Sequence, residues 1–426
     1  MNSMTDDLVL LIGSGWHPYR EYLLQGLARQ SRVWLIDERP PSWQQPYLAG
    51  SSVVPLLDEE RAIADRRGLI EAALKVAADH KVAGVLTYDE LLVTVTARIA
   101  ELLGVRGLTV AGAENCRDKS RTRAALTLAR LPQPRYAVVH DLAEATEAAA
   151  RIGYPLVVKP RGMGASVGVV RVAGAKALRA AFEITDRARR TGPPVYEDGM
   201  LVEEYLEGPE ISIDGAVFDG EYRPFCLARK LLGAPPYFEE IGHLVDAADP
   251  LATDPALRAL LNEAHATLGV LDGVTHTEVR FTSRGPVIIE VNARLGGDLI
   301  PYVGKLATGV DPGRVAAEVA TGAPPSLDRT DHACAGIRFC YPPRDCRVVS
   351  VSVPEPGAVP GLVAAHPIAQ PGAVVRLPPH AHLGRHAYVI AVADTPAACD
   401  RALDQAAALV ELRYEPLEES YQGRPW

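Results

Sequence analysis

Two glutamates, Glu278 and Glu290, form the pattern in this sequence that most directly indicates chemistry. Each lies six residues from the centre of a short turn between two β-branched segments, so a β-hairpin would set them opposite each other. Side chains alternate along a strand, and Asn292 and Arg294 therefore share the face of Glu290. Two carboxylates facing each other at roughly 5 Å repel unless a cation lies between them. Oxygen ligands of this kind suit Mg²⁺ bound together with substrate phosphates. The spacing predicts a magnesium site, with a polar face neutralised by Arg280 and Arg294 as the alternative.

The other face of the hairpin is apolar. Strict alternation would turn the intervening residues away from the acids. These residues are Thr277, Val279, Phe281, Val287, Ile289, Val291 and Ala293. The pattern predicts that this face packs on a hydrophobic core.

A glycine-rich segment, residues 161–169, follows an apolar strand that ends at Lys159. Small residues such as Gly164 and Ser166 allow backbone N–H groups to lie against phosphate oxygens. The segment is not a Walker loop, because the lysine precedes the glycines. We interpret residues 161–169 as a flexible phosphate-binding flap, with a plain hairpin loop as the alternative.

Acids also close a short apolar strand that begins at Leu201. Glu203 and Glu204 are followed by Tyr205-Leu206 and then by Glu210. The exposed backbone at such a strand end can hydrogen-bond a purine edge, and an acid beside it can accept hydrogen bonds from ribose hydroxyls. A surface turn is the alternative interpretation.

The elements that precede these motifs alternate between strands and helices. Residues 8–12, a glycine-containing turn, a helix and a strand ending at Asp37 form a β-α-β start. We reject NAD binding because Pro18 stands where the third glycine of the fingerprint belongs. The continued alternation predicts a doubly wound parallel sheet with helices on both faces. The basic helix that follows, with Lys119 and Arg123, is interpreted on its own as a solvated helix face.

Composition limits the functional class. A chain of 426 residues with 48% hydrophobic and 23% charged residues predicts two or three globular domains. The net charge of −9 argues against non-specific nucleic-acid binding. No apolar run approaches the roughly 18 residues of a membrane span, and residues 1–7 are too polar for a secretory signal. Six cysteines without a Cys-x-x-Cys pair indicate free thiols in the cytoplasm. A homodimer is compatible with the sequence.

The order of these motifs resembles the ATP-grasp superfamily. A strand ending in Lys159, the flap, the Glu203–Leu206 run and Glu-x₁₁-Glu-x-Asn-x-Arg occur in that sequence. The resemblance implies a pre-ATP-grasp domain over residues 1–114 and an α+β ATP-grasp domain over 115–330. A mobile lid would span about residues 155–205. Residues 331–426 would form a small α+β module like that of biotin carboxylase, in which we identify no chemical constellation.

The same resemblance implies roles for individual residues. Lys119 and Lys159 would contact ATP phosphates under Gly164 and Ser166 of the flap. The adenine pocket would be lined by Glu203, Glu204, Tyr205 and Leu206, with Glu210 near the ribose. Glu278 and Glu290 would bind two Mg²⁺ ions, or Mn²⁺ in their place, with Asn292 assisting. Arg294 would face the reacting carboxyl group.

Within the superfamily, Glu240-x-x-His243 followed by Arg294-Leu-Gly296-Gly297 resembles the L-amino-acid ligases of the bacilysin-synthetase type. The resemblance places these residues at the amino-acid site and implies ATP-dependent joining of an amino acid to an amine through an acyl phosphate. His243 would hold a substrate, accept the amine proton, or serve only as a structural histidine. A carboxylase of the biotin-carboxylase or purine-pathway type, a phosphotransferase and an ATP-binding regulatory protein are the alternatives.

Overall fold

The computed structural model describes residues 7–58, 63–233 and 235–417. The polar N-terminal segment that argues against a secretory signal lies almost wholly outside these ranges. Within them, no helix combines the length and apolar character needed to cross a membrane.

The first domain contains the predicted parallel sheet. Its elements are β1 (Leu8–Ile12), α1 (His17–Ala28), β2 (Arg32–Asp37), β3 (Gly50–Val53), the short pair β4 (Leu56–Asp58) and β5 (Ile63–Ala64), α2 (Arg66–Asp79), β6 (Val82–Leu86), α3 (Val93–Leu103) and α4 (Val110–Arg117). The strand order is β3-β2-β1-β6, and all four strands are parallel. Val9 and Leu11 of β1 pack in one core with α1, whereas Leu8, Leu10 and Ile12 pack in another with α2 and α3. Alternation along one apolar strand thus explains why helices cover both faces.

The lid is a small antiparallel sheet with its own core. Helix α5 (Lys119–Leu128) leads into β7 (Tyr136–Val139), α6 (Leu142–Ile152), β8 (Leu156–Pro160), β9 (Val170–Val172), α7 (Ala175–Arg189) and β10 (Met200–Glu204). The strands lie in the order β7-β10-β8-β9, and α6 and α7 pack on them. The flap connects β8 to β9. The lid therefore includes β7 and α6, which precede its predicted start.

An eight-stranded sheet forms the rest of the central domain and continues into the C-terminal module. Its elements and their neighbours are β11 (Glu210–Phe218), β12 (Glu221–Leu232), β13 (Glu240–Asp246), α8 (Pro255–Leu268), β14 (Gly273–Thr282), β15 (Gly285–Asn292), α9 (Ile300–Thr308), α10 (Pro312–Ala320), β16 (Cys334–Cys340), β17 (Cys346–Ser352), β18 (Leu362–Pro367), β19 (Val374–Val375), β20 (Ala387–Ala393), α11 (Pro396–Ala408) and β21 (Glu411–Pro416). The order in the large sheet is β15-β14-β11-β12-β13-β16-β20-β18. Strands β19, β17 and β21 form a separate small sheet.

The C-terminal module is continuous with the central domain. Strand β13 pairs with β16 along five residues, from Gly242↔Arg338 to Asp246↔Cys334. The predicted division at residues 330 and 331 falls between α10 and β16, and β16 belongs to the same hydrogen-bonded sheet as the strands of the central domain. This continuity places loops of the C-terminal module beside the central cavity.

The hairpin β14–β15 has the predicted pairing at its functional end. Glu278 lies opposite Glu290, and His276 lies opposite Asn292. A register shift after Glu278 then sets Val279 against Ile288. Because a bulge adds one residue to one strand, Ile288 is buried in the core while Ile289 lines the cavity. The prediction that Ile289 faces the core is wrong for this reason.

Candidate active site

A cavity of about 170 Å³ lies between the lid, the β14–β15 hairpin and the turn before α9. Most of the residues predicted at a site line it: Lys119, Lys159, Gly164, Ser166, Glu203, Glu204, Tyr205, Leu206, Glu210, Glu240, Glu278, Glu290, Asn292, Arg294 and Gly297. His243 and Gly296 are not among its lining residues. The predicted residues of five separate chain segments thus converge on one cavity.

The facing glutamates are each paired with a lysine. Lys119 Nζ lies 2.9 Å from Glu290 Oε1, and Lys230 Nζ lies 3.1 Å from Glu278 Oε1. Burial alone would raise the pKa of the Glu278 carboxyl, but Lys230 and His276 outweigh it and hold that pKa well below its usual range. Two carboxylates, each paired with a lysine, and the Asn292 amide beside them are a donor set that fits Mg²⁺.

The alternative arrangement, in which Arg280 and Arg294 neutralise this pair, is wrong. Arg280 forms its ion pair with Glu210, and its guanidinium also donates a hydrogen bond to the Leu206 carbonyl at 2.8 Å. Arg294 is paired with an acid of the first domain. Neither arginine is therefore the counterion of Glu278 or Glu290.

Lys230 is a site residue that sequence reasoning missed. Its side chain is only 3% exposed, and Nζ lies 2.8 Å from both Glu210 and Glu240 besides its contact with Glu278. Burial favours the neutral amine, but the three acids raise the pKa of Lys230 well above its usual value. A lysine within the largely apolar strand β12 was the available signal.

The phosphate side of the cavity is built on a buried ion-pair chain. Lys159 Nζ lies 2.7 Å from Glu203 Oε2, and Arg123 Nε donates to Glu203 Oε1 at 2.7 Å. Arg123 also donates to the Ile289 carbonyl at 2.6 Å, which ties α5 to the hairpin. Burial would raise the pKa of the Glu203 carboxyl, yet the two cations lower it to about 2. Glu203 therefore remains ionised and holds Lys159 at the cavity wall.

The interpretation of the basic helix as a solvated face is wrong. Lys119 and Arg123 are spaced by four residues and so lie on one face of α5. That face points inward, because its two cations meet Glu290 and Glu203. Arg121, on the opposite side, is exposed. The acids that bind these cations are distant in sequence, so the local pattern could not reveal them.

The flap lies against the lysine of α5. Lys119 Nζ donates to the Met163 carbonyl at 2.6 Å. Ala165 and Ser166 have φ values of +52° and +57°, so both occupy the left-handed region. Consecutive residues with unusual backbone angles can turn N–H groups toward an anion, which fits the predicted phosphate contact of this segment.

The cavity lining includes a group of apolar side chains, here called the apolar slot. Val157, Leu206, Leu232, Phe238 and Ile289 line this slot. The Tyr205 ring nearby is contacted by the Arg171 guanidinium at 4.5 Å from the ring centroid. Glu204 pairs with Arg135 and Arg284 rather than pointing freely into the space. The slot and its strand-end backbone support the predicted adenine site.

An acid of the first domain pairs with Arg294, which lines the cavity. Glu90 lies in a one-turn helix after β6, and its Oε2 is 2.8 Å from Arg294 Nε. Arg117 Nε lies 3.5 Å from Glu90 Oε1. Burial would raise the pKa of Glu90, but Arg294 and Arg117 lower it. Sequence analysis did not single out Glu90, although an acid directly after a parallel strand is a typical site position.

His243 lies behind the cavity rather than in it. Its Nε2 is 3.2 Å from Glu240 Oε2 and 3.5 Å from Asp298 Oδ2. Burial would lower the pKa of this imidazole, but the two acids raise it. The ring is fully buried, and its Nε2 faces the two carboxylates rather than the cavity. The geometry therefore favours the structural alternative for His243. Of the three residues in this cluster, Glu240 and Asp298 line the cavity.

The glycines after Arg294 are held by long-range hydrogen bonds. Gly296 N donates to the buried Asp214 carboxylate at 2.7 Å, and Arg20 donates to the Gly296 carbonyl at 3.1 Å. Gly296 thus joins β11 to the first domain, whereas Gly297 lines the cavity. The predicted substrate role is therefore supported by position for Gly297 and not for Gly296.

The C-terminal module contributes to the site, contrary to the expectation that it holds no chemical constellation. Arg385 donates two hydrogen bonds to Asp298, each 2.7 Å long. Leu383 lines the cavity. The pairing joins residues 87 positions apart, so no local sequence signal could have indicated it.

With this geometry established, comparison with known proteins identifies the domains. Residues 152–302 match the ATP-grasp domain family. The chain contains an ATP-grasp domain. Residues 338–415, which follow the ATP-grasp domain, match the family described as L-amino acid ligase C-terminal domain 2.

Several curated relatives of the chain are ligases by name. The chain is homologous to an alanine–anticapsin ligase of Bacillus subtilis, with 30% identity over 266 residues, which cover 57% of this chain and 55% of the relative. A D-alanine–D-alanine ligase of Ectopseudomonas mendocina is 40% identical over 107 residues, or 25% of this chain and 31% of the relative. The chain spans about half the length of the alanine–anticapsin ligases that it matches.

Solved structures extend the likeness beyond the ATP-grasp domain. An L-amino acid ligase from Bacillus licheniformis superimposes with a TM-score of 0.77 and 21% identity, covering 97% of this chain and all of that one. A biotin carboxylase from Campylobacter jejuni gives a TM-score of 0.69 at 15% identity and covers 98% and 94% of the two chains. These likenesses establish the predicted three-part α/β fold.

Proposed function

We propose that this chain is an ADP-forming ligase that joins the carboxylate of an amino acid to an amine. The observation that carries the proposal is the convergence of Arg294, the Glu278–Glu290 pair and two lysines on one cavity. A carboxylate that attacks the γ-phosphorus of ATP brings two anions together. The cations of this cavity are placed to offset that repulsion.

ATP would lie along the cavity from the apolar slot to the glutamate pair. Its adenine would occupy the slot beside Leu206, and Glu210 would face the ribose. Lys119 and Lys159 would exchange part of their contacts with Glu290 and Glu203 for phosphate oxygens. Charge stabilisation by fixed groups of this kind commonly contributes about 10²–10³ in rate per group.

Two Mg²⁺ ions would be held by Glu278 and Glu290, with Asn292 as a further oxygen ligand. Bound Mg²⁺ supplies positive charge to the phosphate oxygens during phosphoryl transfer. Lys119 and Lys230 already neutralise these acids, so each lysine would move or share its acid when the metal binds.

The part of the cavity lined by Arg294, Glu240 and Asp298, here called the acid end, would select the substrates. Arg294 would hold the reacting carboxylate, while Glu90 fixes the orientation of Arg294. Glu240 and Asp298 present carboxylates to the cavity, which suits the ammonium group of an amino acid. Bicarbonate has no ammonium group, so these two carboxylates would not favour its binding. The pair therefore favours an amino-acid ligase over a carboxylase of the biotin-carboxylase type.

The reaction would then proceed in two steps. The substrate carboxylate displaces ADP and becomes an acyl phosphate, and the amine attacks that acyl carbon and releases inorganic phosphate. The flap covers Lys119 through the Met163 carbonyl, and this cover would limit hydrolysis of the reactive intermediate by water.

An ADP-release screen tests the proposal. Amino acids are supplied singly and in pairs with ATP and Mg²⁺, and products are identified by mass. We expect ADP release that requires an amino acid and an amide product. A stable phosphorylated product without an amide would instead indicate a phosphotransferase, and dependence on bicarbonate alone would indicate a carboxylase.

A further inference from the structure

One loop of the C-terminal module contacts both the flap and Asp298 of the acid end. This loop, residues 377–386, is here called the linking loop. His382 Nε2 accepts a hydrogen bond from the Gly168 N–H of the flap at 3.1 Å. His382 Nδ1 lies 3.3 Å from Glu239 Oε1, and Leu383 N donates to Glu239 Oε2 at 3.1 Å. The flap is thus joined to the linking loop through an imidazole that is itself fixed.

The same loop also hydrogen-bonds Asp298 and Glu240 of the acid end through Arg385. Arg385 donates to both oxygens of Asp298 at 2.7 Å, and to the Glu240 carbonyl at 3.0 Å. Its Nε donates to the Tyr341 hydroxyl at 2.9 Å, and its guanidinium stacks 3.6 Å from the Phe339 ring centroid. With its donors engaged and its side chain buried, Arg385 has little freedom to move alone.

The connection between the two contacts is short and stiff. His382 and Arg385 are three residues apart, which limits their separation to about 11 Å even in a fully extended chain. Leu383 between them has φ of +57° and lines the cavity. A left-handed backbone at a leucine persists only where its surroundings impose it. The short connection and these contacts would make the two ends of the linking loop move together.

The flap end of this connection is equally constrained. Gly168 has φ of +72°, and a Cβ there would lie 2.4 Å from Ala188 Cβ. Its carbonyl accepts a hydrogen bond from Thr185 Oγ1 at 2.8 Å. Its position relative to β8 and α7 is therefore fixed, so the His382 contact acts on the lid through Gly168.

We propose that His382 is a positioning residue that couples closure of the flap to the presence of an amino acid at Asp298 and Glu240. This inference rests on the proposed ligase function and adds a requirement to it. An amino acid that binds Asp298 acts on the linking loop through the Arg385 pair that is already in place. The loop keeps His382 against Gly168, and the flap closes over ATP. Without this contact, the flap would close independently of the amino acid, and ATP would be cleaved without amide formation.

The test compares three variants with the wild type in ATP cleavage and amide formation. His382→Ala removes the acceptor, whereas His382→Gln retains an oxygen acceptor near the position of Nε2. His380→Ala is the matched control, because His380 lies in the same loop, is 60% exposed and contacts Asp345 instead of the flap. We expect His382→Ala to release several ADP per amide, and the other two variants to keep a ratio near that of the wild type.

Hydrogen exchange of the wild type provides a second readout that needs no variant. With a non-hydrolysable ATP analogue bound, amides of residues 164–169 should exchange at least several-fold more slowly after an amino acid is added. Unchanged exchange, or a wild-type ADP-to-amide ratio in His382→Ala, would overturn the coupling. Absence of amino-acid-dependent ADP release in the wild type itself would instead overturn the proposed ligase function.

Discussion

The ammonium group of Lys230 lies 3.1 Å from a carboxylate oxygen of Glu278, and it also contacts Glu210 and Glu240 at 2.8 Å. One buried cation thus joins the acids assigned to the ribose, the substrate and the metal. Sequence analysis inferred that a cation must lie near Glu278. Lys230 supplies part of that charge.

Replacing Lys230 by methionine should destabilise the fold. The change keeps the volume of the side chain but leaves three acids without their shared counterion, and removal of one partner of a buried ion pair costs about 3–5 kcal/mol. Denaturant unfolding monitored by circular dichroism measures the difference in the free energy of unfolding.

Arg223→Met on the same strand is the control for Lys230→Met. The Arg223–Glu221 pair is solvent-exposed, so its loss should cost about 1 kcal/mol or less. Equal destabilisation by the two variants would show that the Lys230 cluster contributes no more than a surface pair.

Glu290→Gln should abolish turnover without changing the fold. The amide keeps the shape of the side chain but removes the negative charge that we assign to magnesium binding, so kcat should fall by about 10²–10³ or more. ADP release at saturating Mg²⁺ measures this effect. Glu263→Gln on the exposed side of α8 is the control, and near-normal activity of Glu290→Gln would refute its role as a metal ligand.

Lys159→Ala should raise the KM for ATP and lower kcat together. A lysine that contacts phosphates in both the ground state and the transition state contributes to both constants. Glu203 would retain Arg123 as its partner, so the fold should survive. Steady-state kinetics compare the variant with Lys176→Ala on the exposed face of α7. Wild-type values of kcat and of the KM for ATP in Lys159→Ala would contradict the proposed phosphate contact.

His265 should make the stability of the fold depend on pH. Burial lowers the pKa of this imidazole from 6.5 to about 4, more than the Leu261 carbonyl raises it. The folded state therefore binds the proton more weakly than the unfolded state. The contribution of neutral His265 to the free energy of unfolding is complete above pH 6.5 and is lost as the pH falls toward 4. At about 1.4 kcal/mol per pKa unit, the loss is about 3 kcal/mol.

Unfolding free energies measured between pH 4 and 7 test the role of His265. His265→Gln should flatten the decline of stability with acid, whereas His332→Gln, at an exposed position, should leave it unchanged. An equally steep decline in His265→Gln would assign the pH dependence to other groups.

Much of the site was predictable because its main elements are local. Alternation along two strands and one short turn is sufficient to place Glu278 opposite Glu290, since side-chain period and hairpin register are short-range properties. The bulge after Glu278 was not predictable from alternation, and it moved Ile289 from the core to the cavity. The parallel sheet of the first domain followed from its alternating elements for the same local reason.

Three of the missed residues share a different property. Glu90, Arg123 and Arg385 act through partners that lie 80 or more positions away in the chain. Their charges are indistinguishable from surface charges until the fold brings the partners together. The continuity of β13 with β16 is likewise a long-range pairing, and it explains how the C-terminal module reaches the cavity.

The central claim is an acyl-phosphate route to an amide, and trapping with product stoichiometry tests it most directly. The enzyme is incubated with ATP, Mg²⁺ and the amino-acid pair found by the ADP screen, and ADP, phosphate and amide are quantified. A parallel reaction replaces the amine by hydroxylamine. We predict equal amounts of ADP, phosphate and amide, and a hydroxamate of the acid substrate in the parallel reaction. Release of AMP and pyrophosphate would contradict the account, because it would indicate an adenylate instead of an acyl phosphate.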